Sequence, residues 1–394
     1  MRLLHTGDWH LGRTIRGRSR AAEFDAVLRE VTDIAIAEAV DVFLVAGDIW
    51  DTMSPPPDAD RLLYAALRRL VEAKIEVVLI AGNHDNPRRL AAFGQFADLL
   101  GVHVVSHARR WDDGGTIRIE RATSSGHSER LCLAALSWVP EGRALNAEEI
   151  LGPEFESYQG YAEFVSGVYA QASKGFEDGA INVFATHVFV DGAKVATVDG
   201  SERRIHIGQT YAVAPSVLPG HAQYVALGHV HEPQVVLGAP NNAATYSGSL
   251  LQLDFGESGQ TKIVRIVDLE PGRPARHRAV PLTAGRQLAE VRGTFDEVIA
   301  QAERHGDAYL RATIRLDRPE PGLAQRVREA LPNCVDVRVE TARDAEGPAP
   351  ARLSDLTHTD LYVRYYQQAH GSVPTPEVLA VFREVLEEAT TQTS

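Results

Sequence analysis

Five short apolar runs, each ending at a polar residue, organise this chain. Residues 42–46 read Val-Phe-Leu-Val-Ala and lead into Gly47 and Asp48. A continuous aliphatic run of this length predicts a strand buried on both faces of a parallel sheet. Residues 3–6 lead through Gly7 into Asp8-Trp9-His10, and residues 77–81 lead through Gly82 into Asn83-His84-Asp85. Residues 181–186 end at His187, and residues 224–227 lead through Gly228 into His229-Val230-His231. In open α/β sheets ligands bind beyond the carboxyl ends of the strands. The pattern therefore predicts five strand ends brought together around Asp48.

Between these runs the spacing is helical. Residues 21–39 place Phe24, Val27, Leu28, Val31 and Ile34 on one face. Pro55-Pro56-Pro57 breaks the chain before a second helix at 58–73, and a third is expected over 89–100, ahead of a strand at 102–105. Residues 109–130, rich in Gly, Asp and Ser, predict a hairpin with exposed turns. A strand at 131–136, a largely helical stretch at 148–176 and late strands at 245–249 and 262–268 complete a second sheet. The pattern changes at Pro271-Gly272-Arg273-Pro274. Beyond it a small βαβαβ module is expected, with strands at 286–291, 309–316 and 335–339 and helices at 295–305 and 322–331. Residues 342–351 read as a linker. Residues 360–369 and 376–388 carry two short amphipathic helical patterns, the first with Tyr362, Tyr365, Tyr366 and Ala369 on one stripe. The expected divisions are 1–270, 271–341 and 342–394.

Composition narrows the class. The chain has 394 residues, 44% of them hydrophobic and 24% charged, which predicts a globular protein of two or three domains. Its two cysteines, Cys132 and Cys334, argue for a reducing compartment and against a thiolate metal cluster. The first strand begins at Arg2, leaving no room for a signal peptide, and no apolar run is long enough to span a bilayer. The formal net charge of −13 is an awkward sign for a nucleic-acid partner, though bound divalent cations would offset part of it locally.

The strand ends supply Asp8, His10, Asp48, Asn83, His187, His229 and His231. This set of oxygen and nitrogen donors without sulfur suits Mn²⁺, Fe²⁺ or Zn²⁺ better than Mg²⁺ or Ca²⁺. Paired cations need a shared carboxylate, and Asp48 holds the central place in the order. Glycine before a ligand motif lets the backbone turn sharply. Each piece alone has an ordinary reading. Gly-Asp after a strand caps a helix, and His229 and His231, two apart, share one strand face. His5, His103, His107 and His221 read as structural or surface groups. The conjunction of five such ends, in order, is what points to a metal centre.

In this order, Asp-x-His, Gly-Asp-x-x-Asp, Gly-Asn-His-Asp, His and Gly-His-x-His form the signature of calcineurin-like metallophosphoesterases, which the chain resembles. Closer still, His5-Thr6-Gly7-Asp8-Trp9-His10-Leu11-Gly12, Ala46-Gly47-Asp48-Ile49-Trp50-Asp51, Ser201-Glu202-Arg203 and Tyr246-Ser247-Gly248-Ser249 resemble the SbcD family, the nuclease subunits of bacterial SbcCD complexes. Gly7 departs from that pattern, where Ser is expected. The resemblance covers nearly the whole chain. It implies an α/β fold: a calcineurin-like metallophosphoesterase sandwich of two mixed sheets flanked by helices, a small α+β capping domain and a C-terminal helical tail. It implies two divalent metal ions, Mn²⁺ being the expected species. Asp8, His10, Asp48 and His231 would hold one, and Asp48, Asn83, His187 and His229 the other. His84 would face the scissile phosphate. Asp51 stands where archaeal and eukaryotic relatives tend to carry a second histidine, and it and Asp85 would support the ligands from behind, or Asp85 would only cap the following helix.

The implied activity is hydrolysis of DNA phosphodiesters: 3′–5′ exonuclease on duplex ends and endonuclease on hairpins and single strands, in recombination and repair. The implied partners are the SbcC ATPase, bound by the tail, DNA ends and hairpins, and a second copy through helices 58–73 and 89–100. The implied location is the cytoplasm, at the nucleoid. Arg13, Arg16, Arg18, Arg20, Arg88, Arg89, Arg203 and Arg204 cluster beside the ligand loops. They read either as a basic face that positions phosphates or as a solvated, charge-balanced surface. A phosphoesterase for small diesters or phosphoproteins shares the same metal site and stays open as an alternative, as does a non-catalytic DNA tether.

Overall fold

The computed structural model describes residues 1–122, 128–139, 161–195, 212–240, 243–318 and 320–341, with scattered positions from 362 to 382. The first part gives β1 (Arg2–Thr6), the short β2 (Thr14–Ile15) and β3 (Arg18–Ser19), α1 (Ala21–Ala37), β4 (Val42–Ala46), α2 (Pro57–Glu72), β5 (Glu76–Ile80), α3 (Pro87–Ala97), β6 (Val102–Val105) and β7 (Thr116–Ala122). There follow β8 (Ser128–Leu136), α4 (Tyr161–Ala172), β9 (Ile181–His187), β10 (Tyr224–Gly228), β11 (Gln234–Val235), β12 (Ala244–Tyr246), β13 (Ile263–Asp268) and β14 (Arg276–Pro281). The last described elements are β15 (Leu288–Gly293), α5 (Phe295–Ala302), β16 (Tyr309–Leu316), α6 (Leu323–Ala330) and β17 (Cys334–Thr341).

Two six-stranded mixed sheets result. The first runs β14-β13-β1-β4-β5-β6, with β1, β4, β5 and β6 parallel and the β13–β14 edge antiparallel. The second runs β11-β12-β10-β9-β8-β7, parallel from β12 to β8 and antiparallel at both edges. Alternate residues of a strand point to opposite faces. Leu3, Val42, Leu44, Val78 and Ile80 therefore pack between the sheets, against Leu131, Leu133, Val183 and Ala226. Leu4, Phe43, Val45, Val77 and Leu79 face the other way, onto Phe24, Val31, Leu63 and Leu90 of the helices. Phe184, Val225 and Leu227 pack likewise on Phe164, Val168 and Tyr169 of α4. With a core on each side, these strands read as unbroken apolar runs.

Residues 271–274, where the sequence places a boundary, are the turn joining β13 to β14, which pair Asp268 with Arg276, so the first sheet runs on to Pro281. The third sheet, β15-β16-β17, with α5 and α6, has the βαβαβ order read from the sequence. It meets the sandwich through Ile15, Phe255, Leu288 and Tyr309. The β2–β3 hairpin, which no run of apolar residues announces, reinforces this contact. Arg16 Nη2 lies 3.1 Å from Asp336 Oδ2, and Arg18 Nη2 donates to Pro332 O at 2.8 Å.

Met1–Ile314 and Gly322–Arg338 form one compact unit, and Arg315–Pro321 and Val339–Ser394 the other. In the second, Tyr362, Val363, Tyr366, Val378, Leu379, Val381 and Phe382 are helical, and the Tyr362 and Phe382 rings stack 4.0 Å apart. The linker at 342–351, most of both tail helices and residues 148–160 lie outside the described residues. Among the described residues no helix is long and apolar enough to cross a membrane.

Candidate metal centre

Strands β1, β4 and β5 of one sheet and β9 and β10 of the other deliver their carboxyl ends to one place. The loops after β1 and β4 run side by side: Asp8 N donates to Gly47 O at 3.0 Å, His10 N to Asp48 O at 2.9 Å and Leu11 N to Ile49 O at 2.9 Å. The backbone here is strained. Asp8, His10 and Asp48 have φ of 50°, 48° and 50°, and His229 has φ of 101°. Each such residue costs about 1–3 kcal/mol when it is not glycine. Gly47 turns at φ 95°, as expected, but Gly7, Gly82 and Gly228 are not left-handed. Gly228 is needed for closeness instead: a Cβ there would overlap the Ala46 carbonyl oxygen and approach His187 Nδ1 at 2.7 Å.

All seven ligand candidates meet. Asp8, His10 and His231 offer atoms within 4.8 Å of one another, and so do Asp48, His187 and His229. Asn83 Oδ1 lies 3.0 Å from both His187 Nε2 and His229 Nδ1. Asp48 Oδ2 lies 3.5 Å from His10 Nε2 and 3.4 Å from His187 Nε2, so its carboxylate stands between the two groups.

The second ring nitrogens are held from behind. His187 Nδ1 donates to Ala46 O at 2.8 Å, which leaves Nε2 as the nitrogen facing inward. His231 Nδ1 does the same to Glu257 Oε1 at 2.9 Å, and His10 Nδ1 lies 3.3 Å from Asp51 Oδ1. Such partners fix which nitrogen is left for a metal. Asp8 Oδ1 accepts from His229 N at 2.8 Å, whereas Asp8 Oδ2 is buried with no hydrogen-bond partner among the described residues. An orphaned buried carboxylate oxygen facing inward imidazoles fits a cation. Burial pushes the Asp8 carboxyl up to about 6. Burial opposes charge on Asp48 too, but His187, then His10 and His84, hold that carboxyl well below the usual range. Burial also works against a charged His187, yet Asp48 outweighs it and raises the imidazole to about 9.

Residues 1–233 match the family model for calcineurin-like phosphoesterases, and residues 284–370 match a model described as type 5 capsule protein repressor C-terminal domain. A Bacillus subtilis protein named as the SbcD component of the nuclease SbcCD is 34% identical over 395 residues, spanning 98% of this chain and 97% of its own length. Proteins of the same name from Rhodobacter capsulatus and Escherichia coli are 34% and 30% identical, over 91% and 80% of this chain and 92% and 77% of theirs. The chain belongs to the SbcD family of calcineurin-like phosphoesterases. Membership implies divalent metal ions, and the groups above are the candidates to hold them.

Around the family's motif residues the structure adds detail. His84 N donates to Asp48 Oδ1 at 2.9 Å, and its Nδ1 donates to Asp51 O at 2.8 Å. Asp85 does not cap the next helix; Asn86 does, accepting from Arg88 N and Arg89 N. The buried Asp85 carboxylate instead takes the amides of Gly82 at 2.8 Å, Trp50 at 3.0 Å and Ile49 at 3.2 Å, tying the Asn83 loop to the Asp48 loop. Its own burial, reinforced by Asp48, lifts it to about 6. The arginines are more committed than the sequence suggests. Arg13 lies 3.1 Å from Asp51, Arg16 and Arg18 anchor the third sheet, Arg20 is buried against Glu23, and Arg89 pairs with Asp60 and lies 5.5 Å over the Trp50 ring. Arg88 is exposed, and Arg203 and Arg204 lie outside the described residues.

Two neighbours were not read from the sequence. Trp138 stacks on His229 at 5.2 Å and 26°, and its amide donates to Ala81 O at 2.9 Å. It follows the apolar run of β8, a sixth strand end that carries no charged residue. Glu257 sits on a loop far from any ligand motif, and no spacing rule marks it.

Loading this centre with Mn²⁺ should release protons at neutral pH. His187, raised to about 9, carries a proton there that Nε2 must lose to bind a cation. Affinity should rise as pH approaches that value and fall below about 6, where Asp8 takes a proton. Calorimetry in two buffers of different ionisation enthalpy counts the protons, and no release at neutral pH would contradict His187 as a ligand. Gly228→Ala should destabilise the fold by about 1–3 kcal/mol, the usual range for overpacking. Urea unfolding measures this, and an unchanged midpoint would mean that the sheets need not approach so closely there.

Proposed function

We propose that this SbcD-family nuclease subunit hydrolyses DNA phosphodiesters at two divalent cations, with Mn²⁺ the expected ion. Asp8, His10, Asp48 and His231 hold one, and Asp48, Asn83, His187 and His229 the other. The observation that carries this is the Asp48 carboxylate standing 3.5 and 3.4 Å from histidines of the two groups. When bound, such a pair activates a water and neutralises charge on the phosphate oxygens. His84 is the group for the leaving oxygen. Its Nδ1 is used on Asp51 O, which leaves Nε2 to approach substrate. Asp51 and Asp85 hold His10 and the Asp48 loop in place. Arg88, exposed at the head of α3, is the foremost phosphate contact of the arginines described.

The substrates are DNA ends, cut 3′–5′, and hairpins or single strands, cut internally. The setting is recombination and repair in the cytoplasm. The SbcC ATPase docks on the helical tail around Tyr362, Val363, Tyr366, Val378 and Phe382. Residues 271–341 cap the DNA approach, apart from β14, which completes the first sheet. A second copy pairs through α2 and α3. Supporting this, Phe96 and Leu99 are 67% and 80% exposed, and the Tyr64 ring of α2 stacks on Phe93 of α3 at 5.4 Å. Exposed apolar side chains grouped on one segment are a feature of interaction surfaces.

His84→Ala should keep wild-type Mn²⁺ stoichiometry and lose activity by about 10²–10⁴-fold, the usual contribution of an acid–base group. Cleavage of a labelled hairpin, set against a chromogenic small diester, measures it. Activity within a few-fold of wild type would remove His84 from the reaction. Leu99→Asp should shift the protein from dimer to monomer in light scattering without lowering its thermal midpoint, and a persistent dimer would place the interface elsewhere.

A further inference from the structure

A carboxylate stands behind two histidines of the centre, and the one behind His231 is the closer and the more deeply buried, Asp51 lying 3.3 Å from His10 Nδ1. His231 Nδ1 faces its carboxylate, Glu257 Oε1, at 2.9 Å, and Glu257 is only 2% exposed. The other oxygen of that carboxylate is already engaged. Oε2 accepts from Lys262 Nζ at 2.7 Å, Leu253 N at 3.0 Å and Ser249 Oγ at 3.4 Å. Lys262 spends its remaining donors on His231 O at 3.0 Å and Gln260 Oε1 at 2.8 Å. The ammonium thus grips both the carboxylate and the backbone of the histidine that the carboxylate addresses.

We infer that Glu257 is a positioning residue that fixes His231 in the tautomer and orientation able to bind a cation through Nε2, and that the third sheet anchors it. This rests on the two-cation reading above. A carboxylate only accepts, so His231 Nδ1 donates and Nε2 keeps its lone pair inward. The segment carrying Glu257 has few ways to move. It is the single turn Phe255–Glu257, capped by the Asp254 side chain on Gly256 N at 3.2 Å. Phe255 is buried in the cluster with Leu288 and Tyr309, and the Arg311 guanidinium lies 4.4 Å over its ring. Ser258 Oγ donates to Leu288 O at 2.6 Å, and Leu288 N donates to Gln252 Oε1 at 2.7 Å. Both ends of the turn are therefore stitched to β15, so the capping module sets the orientation of one ligand of one cation. Asp48 and His187, whose Nδ1 is held by the Ala46 carbonyl, stand apart from this network.

The test is Mn²⁺ titration of the full-length protein by calorimetry and electron paramagnetic resonance. Wild type is expected to bind two ions. Glu257→Gln removes the charge, and Glu257→Asp keeps a charge for Lys262 but shortens the reach toward His231. Both are expected to weaken one site by about 10–100-fold, the range for removing such a partner, and to leave the other unchanged. A lower thermal midpoint with both affinities intact would show that Glu257 is only structural and would overturn the inference. Should neither variant fold, nitrogen–proton correlation NMR of the metal-free wild type at mildly alkaline pH decides, with His231→Asn used for assignment. An Nδ1–H ring at His231 is expected, and an Nε2–H ring overturns the inference. Fewer than two ions in wild type would instead contradict the two-cation reading, and the tautomer would still judge Glu257 by itself.

Discussion

The structure depends on a concentration of buried acceptors that only positive charge can satisfy. Asp8 and Asp48 are both buried, with inward imidazole nitrogens of His10, His187, His229 and His231 around them. Burial raises Asp8, whereas His187, His10 and His84 outweigh burial at Asp48 and hold it low. A proton on His187 relieves the conflict in one state, and divalent cations would relieve it in another. Metal binding at His187 and loss of its proton would thereby be one equilibrium.

Holding such a cluster requires that two sheets touch at their carboxyl edges. They do so through main-chain atoms more than side chains: Ala46 O takes His187, Ala81 O takes Trp138 N, and His229 N reaches Asp8. That closeness requires glycine at 228, and it drives Asp8, His10, Asp48 and His229 into left-handed backbone. The apolar layers on both faces of each sheet outweigh this strain. The scaffold is correspondingly well buried where the ligands emerge. The third sheet is tied to the same edge by the turn that carries Glu257.

Much of this was legible because the chemistry lies at strand ends. An apolar run followed by Gly-Asp or Gly-His is a local signal, and five of them in order define both the sheets and the centre. What the sequence hid was non-local. Glu257 reaches His231 across a loop, and Trp138 stacks on His229 from a strand end with no charged residue. Arg16 and Arg18 look like phosphate contacts in sequence, but the hairpin they bracket folds onto the third sheet, where Asp336 and the Pro332 carbonyl engage them. The Pro-Gly stretch at 271–274 has the composition of a linker and the geometry of a hairpin turn, because β14 follows it without an apolar run of its own. Asp85 looks like a helix cap until Asn86 is seen to do that work.

In the proposed centre one carboxylate, Asp48, is shared by two cations. Anomalous diffraction from crystals of the full-length protein grown with Mn²⁺ tests it most directly. Two anomalous peaks are expected about 3.5–4 Å apart, the spacing of two-metal hydrolases, one beside Asp8, His10 and His231 and one beside Asn83, His187 and His229, with the Asp48 carboxylate between them. A single peak, or two peaks that do not both contact Asp48, would contradict that sharing.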